Sequence, residues 1–343
     1  MKLDVMTPAA PLRQISRLAE DAQAAGFDGL VVTESGRSAF LSCAAIALAA
    51  PIDVATGIAV AFARSPMVTA SIAWELAEAT GGRFRLGLGT QVRAHITRRY
   101  GSEFDPPGPR MREYVLALKH IFQAFRGNSP LDFSGRWWKL SLLPGQWSPG
   151  PIDVPDPPVD VAAVNPWMLR MAGSVADGVH VHPLNTPTYL RETALPAIIA
   201  GAEHAGRTRE DLCIIVPCFA AVGETDEEVN RWRQRARAQI AFYGSTPNYS
   251  FLFDQIGFEG TTARIREKQR AGDVAGMTAV ISDAMLDHFV LSATWDTAAS
   301  AILDRYGGVA DRVVLYFAAA SWVESPQTLS RWSQVIAELA AHS

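Results

Sequence analysis

Three histidines, a carboxylate and a strand that breaks into glycine carry the chemistry that can be read from this chain. In Arg83–His95, RFRLGLGTQVRAH, an apolar strand runs into Gly87, Gly89 and Thr90 and then into the polar residues Gln91, Arg93 and His95. A buried strand ending in glycines and reactive side chains is how a parallel α/β protein presents a site. The strand fixes position, and glycine lets a ligand approach the backbone. His180 and His182 are two residues apart in an apolar run, so in a strand they share one face. A lone strand histidine is more often a packed core residue; two on one face at a strand end point to a pocket. Histidine also suits zinc or iron, but no His-x-Glu or facing carboxylate pair accompanies these, so no metal site is expected. Glu34 follows the apolar run GLVVT, either as an acid in the site or as the partner of a neighbouring arginine. Asn165-Pro166-Trp167-Met168 reads as a strand-to-helix junction. It is an ordinary helix cap, or a phosphate site in which the first helical amides are the donors.

These residues need a scaffold, and the chain has a regular one. Apolar runs at 3–7, 29–33, 52–60, 83–88, 159–164, 179–182, 213–222 and 312–317 read as strands. Helical spacing falls between them at 11–25, 38–50, 66–79, 110–125, 167–175, 187–204, 225–243 and 326–341. Thr225 and the acids Asp226, Glu227 and Glu228 suit a helix start. Strands alternating with helices over short connections imply parallel strands and right-handed crossovers. Eight such units close a barrel, and no G-x-G-x-x-G follows the first strand to favour an open dinucleotide-binding sheet. The expected fold is therefore an α/β (β/α)8 TIM barrel, one domain over 1–343. Two irregular excursions interrupt it, at about 127–158 and 243–290, with helical segments expected at 260–271 and 281–291. The first is rich in tryptophan (Trp137, Trp138, Trp147), which either lines a pocket or packs the loop down. In a barrel the site lies at the C-terminal strand ends. That selects Thr7, Glu34, residues 57–61, Gln91, Arg93, His95, Asn165, His180, His182 and Asn185.

Composition excludes several other classes. Hydrophobic residues make up 48% of the 343 and charged residues 19%, enough for a large core. The formal charge of −4 offers no electrostatic case for nucleic acid. Cys43, Cys213 and Cys218 show neither metal spacing nor a disulfide framework. The N-terminal MKLDVMTP lacks the apolar core of a signal peptide, and no run reaches the roughly 18 apolar residues of a membrane helix. A cytoplasmic protein without membrane contact is expected. There is no Ser-His-Asp spacing, P-loop or paired-carboxylate motif.

Four stretches resemble the bacterial luciferase-like monooxygenases, and most closely their branch of oxidoreductases that use the deazaflavin coenzyme F420. They are GFDGLVVTES, TGIAVAFARSP followed by GGRFRLGLGTQ, RMREYVLALKHIF, and NPWMLRMAGSVADGVHVHPL. The resemblance implies a non-prolyl cis peptide at Gly57-Ile58 whose bulge backs the middle ring of the deazaflavin. It places Glu34 near the cofactor, and Gln91, Arg93 and His95 in the loop that approaches the ring system. The amides of Asn165, Trp167 and Met168 would hold the cofactor phosphate, and His182 would face substrate. Both excursions match places where the family inserts lids over the pocket. The chain departs from relatives at Ser35, where they often carry histidine, and at Val92, where some carry glutamate. His95 and His182 are then the groups left as proton donors, because imidazole exchanges protons near neutral pH, and Glu34 stands with them as a candidate catalytic residue.

What the resemblance implies is hydride transfer between C5 of the deazaflavin and a small organic substrate. The enzyme would be a homodimer joined by apolar helix faces. Flavin mononucleotide (FMN) with oxygen chemistry, as in the luciferase and alkanesulfonate branches, is the alternative, and a non-catalytic ligand-binding barrel is a third reading. Both cofactors carry a phosphate, so the Asn165 junction does not separate them.

Overall fold

The computed structural model describes residues 1–342. Eight parallel strands form a closed barrel: β1 (Lys2–Pro8), β2 (Gly29–Thr33), β3 (Asp53–Thr56), β4 (Phe84–Gly89), β5 (Val159–Ala163), β6 (Gly178–Val181), β7 (Cys213–Gly223) and, after the flanking strand β8 (Val290–Thr294), β9 (Arg312–Tyr316). Each strand from β1 to β7 pairs with the next, and β9 fills the gap between β7 and β1. Closure sets Val5 against Leu315 on one side of β1 and Met6 against Val31 on the other. Helices cover the outside, and their inward faces make one continuous apolar core with the outward faces of the strands. Several start as their sequences dictate. Ser65 and Asn165 each accept a backbone N–H three residues on, with proline at the first helical position.

Several elements differ from the sequence reading. The segment expected as helix over 281–291 is a helix only at Asp283–Phe289 and then becomes β8. The cause is β7, which at 11 residues outruns the barrel. Its outer half, Phe219–Gly223, pairs with Val290–Thr294, whose β-branched and small residues fit a half-covered edge. A further helix, Ala298–Tyr306, lies in a stretch without an assigned element. The excursion after residue 127 does not close over the strand ends. It forms a hairpin, Phe133–Ser134 with Lys139–Leu140, along the outer helices. Glu113 accepts the backbone N–H groups of Arg136, Trp137 and Trp138 at 2.8–2.9 Å, and the Trp138 ring meets Tyr114 edge-on. Further on, Trp74 Nε1 donates to the Gly150 carbonyl, and Arg126 binds Asp156 and the Ile152 and Val154 carbonyls. Trp138 therefore packs the loop down, while Trp147 stays exposed.

The barrel interior is stacked in unlike layers. At the floor, Arg312 makes a double hydrogen bond to Asp4 (2.6 and 2.6 Å) and reaches Asp53 at 2.9 Å, and Arg85 makes a double bond to Asp160 (2.9 and 2.6 Å). Gly29 and Gly178 stand among these side chains, and a Cβ at either would collide with an aspartate oxygen. Above the floor lies a thin apolar plug of Val31, Ala55, Ile215 and Val314. His180 sits in the same interior, buried, its Nε2 3.8 Å from Asp160 and without a hydrogen-bond partner. Burial, together with the Arg85 and Arg312 charges and against the pull of Asp160, pushes its pKa from 6.5 down to about 4.

Two outcomes follow for stability. Asp160→Ala leaves the Arg85 guanidinium buried without its counter-charge and is expected to cost about 3–5 kcal/mol, measured by denaturant unfolding. For His180 the folded pKa lies below the unfolded one, so its contribution is present above pH 6.5 and is lost as pH falls toward 4. That loss is roughly 3 kcal/mol from the size of the shift. Unfolding free energies that stay level between pH 6.5 and 4 would contradict the assignment.

Candidate active site

The C-terminal strand ends form a mouth with two unlike sides. On the side of β2, β3 and β4, three glycines stand at or near the strand ends. Gly57 follows β3, and the Gly57–Ile58 peptide bond is cis. A Cβ at Gly57 would lie 2.2 Å from Val31, one at Gly87 1.9 Å from the Thr56 carbonyl oxygen, and one at Gly89 2.8 Å from Ile58. Close packing requires glycine at all three positions, because neighbouring atoms already occupy the space of a Cβ. Gly57 and Ile58 remain partly accessible.

Glu34, at the end of β2, is buried and fully engaged. Its Oε2 accepts from the Val60 N–H (2.8 Å) and Arg64 Nη1 (3.0 Å), and its Oε1 from Arg64 Nη2 (2.5 Å). Arg64 in turn lies over the Phe40 ring. Of the two readings of this residue, the arginine partner is what the geometry displays. The pair ties the end of β2 to the turn after β3.

The polar cluster after β4 is spread rather than gathered. Gln91 adopts a left-handed backbone (φ 58°), and its side-chain oxygen accepts the Val92 N–H at 3.0 Å. The residues expected as loop from Arg93 form a short helix, Arg93–Arg98. Arg93 pairs with Asp105 and lies over Phe104, and His95 is exposed on that helix.

At the end of β5, Asn165 caps the helix Pro166–Val175, its Oδ1 accepting the Met168 N–H at 3.0 Å. Pro166 has no N–H to offer, which leaves the Trp167 amide at an exposed helix start without a protein acceptor. The Trp167 ring is half exposed and packs on Gly108, where a Cβ would come within 2.3 Å of it.

On the side of β6, β7 and β9 the mouth is bulky and aromatic. His182 stands just past β6, half-buried, with Nδ1 accepting the Leu184 N–H at 3.0 Å. The neutral ring therefore carries its proton on Nε2. Tyr243 meets it edge-on at 4.8 Å between centroids and Tyr249 lies at 4.4 Å, so the second excursion does cover this end of the barrel. Tyr243 is held by Gln239 (3.1 Å) and bonds the buried Tyr316 of β9. Burial alone lowers the His182 pKa to about 3, so at neutral pH it is an uncharged donor rather than an imidazolium. Asn185 is buried nearby, spanning the His182 and Pro217 carbonyls with its amide nitrogen.

Tyr243 and Tyr249 are the residues that sequence reasoning missed. Tyr243 ends a helix and Tyr249 lies in a stretch without periodicity, so no local signal marks them; only the fold brings both to His182. Among the described residues, no group of three His, Cys, Asp or Glu side chains is arranged to hold a metal ion, and no helix is long and apolar enough to cross a membrane.

Known proteins resemble the chain in sequence and in fold. The chain is 37% identical over 328 residues to an uncharacterized protein of Mycobacterium tuberculosis, covering 94% of each. It is 26% identical over 296 residues to the 5,10-methylenetetrahydromethanopterin reductase of Methanolobus tindarius, covering 84% of this chain and 85% of that one. Its fold matches the coenzyme F420-dependent tetrahydromethanopterin reductase of Methanopyrus kandleri with a TM-score of 0.78 at 20% identity, over 99% of both chains. The family model for luciferase-like monooxygenases matches residues 2–312. The eight-stranded barrel whose mouth sets glycines opposite aromatics thus belongs to a member of the luciferase-like monooxygenase family.

Proposed function

We propose that the protein is an F420-dependent oxidoreductase that transfers a hydride between the deazaflavin and a small organic substrate. The observation that carries this reading is the likeness, across more than four fifths of both chains, to a methylenetetrahydromethanopterin reductase. The mouth fits the group on two counts. Gly57 and Ile58 stay partly accessible at the end of β3, where a flat ring system can approach the backbone, and the unpartnered Trp167 amide stands at an exposed helix start suited to a phosphate. When bound, the deazaflavin supplies the carbon that gives or takes the hydride.

The chain's own residues bind, orient and exclude water. Gly57 and Ile58 back the rings, with Gln91 and Arg93 at the rim. Asn165, Trp167 and Met168 hold the phosphate, for which the Met168 N–H must leave the Asn165 side chain. His182 offers its Nε2–H to a substrate oxygen, while Tyr243 and Tyr249 keep water from it. His95, exposed on its helix, is the second candidate for proton exchange with solvent, and Glu34 acts by holding Arg64 and the Val60 amide in place.

Fluorescence titration with coenzyme F420 and with FMN decides between the cofactors. Saturable binding of the deazaflavin, with FMN at least tenfold weaker, is expected; the reverse order would transfer the protein to oxygen-dependent flavin chemistry. We also propose a homodimer. The helix Ala39–Ala49 is apolar on nearly every side and leaves Leu41 and Leu48 (86%) exposed, as is Val68 on the next helix. Sedimentation should give twice the 37.1 kDa chain mass, and Leu48→Glu should shift the protein toward monomer.

A further inference from the structure

Two tyrosines outside the sheet close the bulky side of the mouth. Tyr243 and Tyr249 reach His182 from opposite ends of one turn of chain, with ring centroids 4.8 and 4.4 Å from the imidazole. All three rings remain partly accessible, so they are a lining as well as a packing contact. Tyr243 is fixed in place through Gln239 and Tyr316, while Tyr249 follows a single 3-10 turn, Pro247–Tyr249.

The residues that top this side of the interior carry no free charge. The contacts of His182 are two phenol rings and the Leu184 N–H, and no charged side chain acts on its pKa. Burial alone disfavours protonation of His182, so a charged group placed against it loses solvation without gaining a counter-ion. A flat ring placed there meets aromatic faces and edges, which favour another π-system over an aliphatic ring of equal size. One directed polar group is on offer, the His182 Nε2–H.

We propose that Tyr243 and Tyr249, with His182, form a specificity wall that selects an uncharged substrate bearing its reactive oxygen on an aromatic or conjugated ring, as in an aryl ketone or the corresponding alcohol. The inference rests on the F420 reading for the reaction, but the wall itself belongs to the protein alone.

Binding of three probes by calorimetry or saturation-transfer NMR tests it, using the full chain with and without saturating F420. Acetophenone is expected to bind about tenfold more tightly than cyclohexyl methyl ketone, the size of one to two good aromatic contacts. The anion 4-acetylbenzoate is expected to bind at least tenfold more weakly than acetophenone. Tyr249→Phe should keep this ranking, and Tyr249→Ala should erase the preference for the aromatic ketone. If Tyr249→Ala lowers the melting temperature sharply, Tyr249→Leu fills the space without a π-face and should give the same loss. Equal binding of the two ketones, preference for the anion, or a ranking untouched by Tyr249→Ala and Tyr249→Leu would each overturn the proposal. A protein that ignores F420 yet keeps the ranking refutes the cofactor reading and leaves the wall standing. One that binds F420 without the ranking refutes the wall alone.

Discussion

The ion pairs on the barrel floor are the constraint on which the rest of the molecule depends. Arg312 binds Asp4 across 308 residues of sequence, and the same guanidinium holds Asp53, so one side chain joins β1, β3 and β9. Arg85 and Asp160 do the same for β4 and β5. Charges in such a place are held by geometry rather than by net attraction, because desolvation offsets much of the Coulomb gain. They contribute register: each double hydrogen bond forms in one alignment of neighbouring strands, and a slip would strand a charge in the interior. Gly29 and Gly178 make room for them.

Charge fills the floor and an apolar plug lies above it, which leaves the C-terminal strand ends as the place of the proposed site. There the two halves differ in kind. The half made by β3 and β4 carries Gly57, Gly87 and Gly89, each packed against a neighbour that a Cβ would strike. The half made by β6, β7 and β9 carries His180, His182 and Tyr316, and the segment after β7 adds Tyr243 and Tyr249. The lengthened β7 and its partner β8 anchor the base of the segment that carries Tyr249.

The acids and bases take roles set by their surroundings. Glu34 has two oxygens and gives both to structure. His180 and His182 lie two residues apart on one face, yet only His182 has a defined tautomer and access to the mouth; His180 is closed in between Gly57, Gly87 and Asp160. Both are held neutral, chiefly by burial. Imidazoles in this state position and donate; they do not bring charge to the site.

Much of this was legible in the chain itself. Strand and helix periods, with proline and glycine at their ends, marked all eight barrel strands and the strand ends where Glu34, Gly57, Gln91, Asn165 and His182 lie, because those signals are local and recur with a fixed spacing. The sequence also left open whether Glu34 serves an arginine, and whether the tryptophans after residue 127 cover a pocket. Tertiary structure decided both: Arg64 lies 30 residues from Glu34, and Glu113 and Tyr114 draw the tryptophan loop onto the outer helices. It also decided that Val290–Thr294 is a strand, since only the overhang of β7 offers it a partner. The aromatic wall came from the same source. Tyr243 and Tyr249 are about 60 residues from His182, and no pattern in either segment encodes a meeting that closure of the barrel alone brings about.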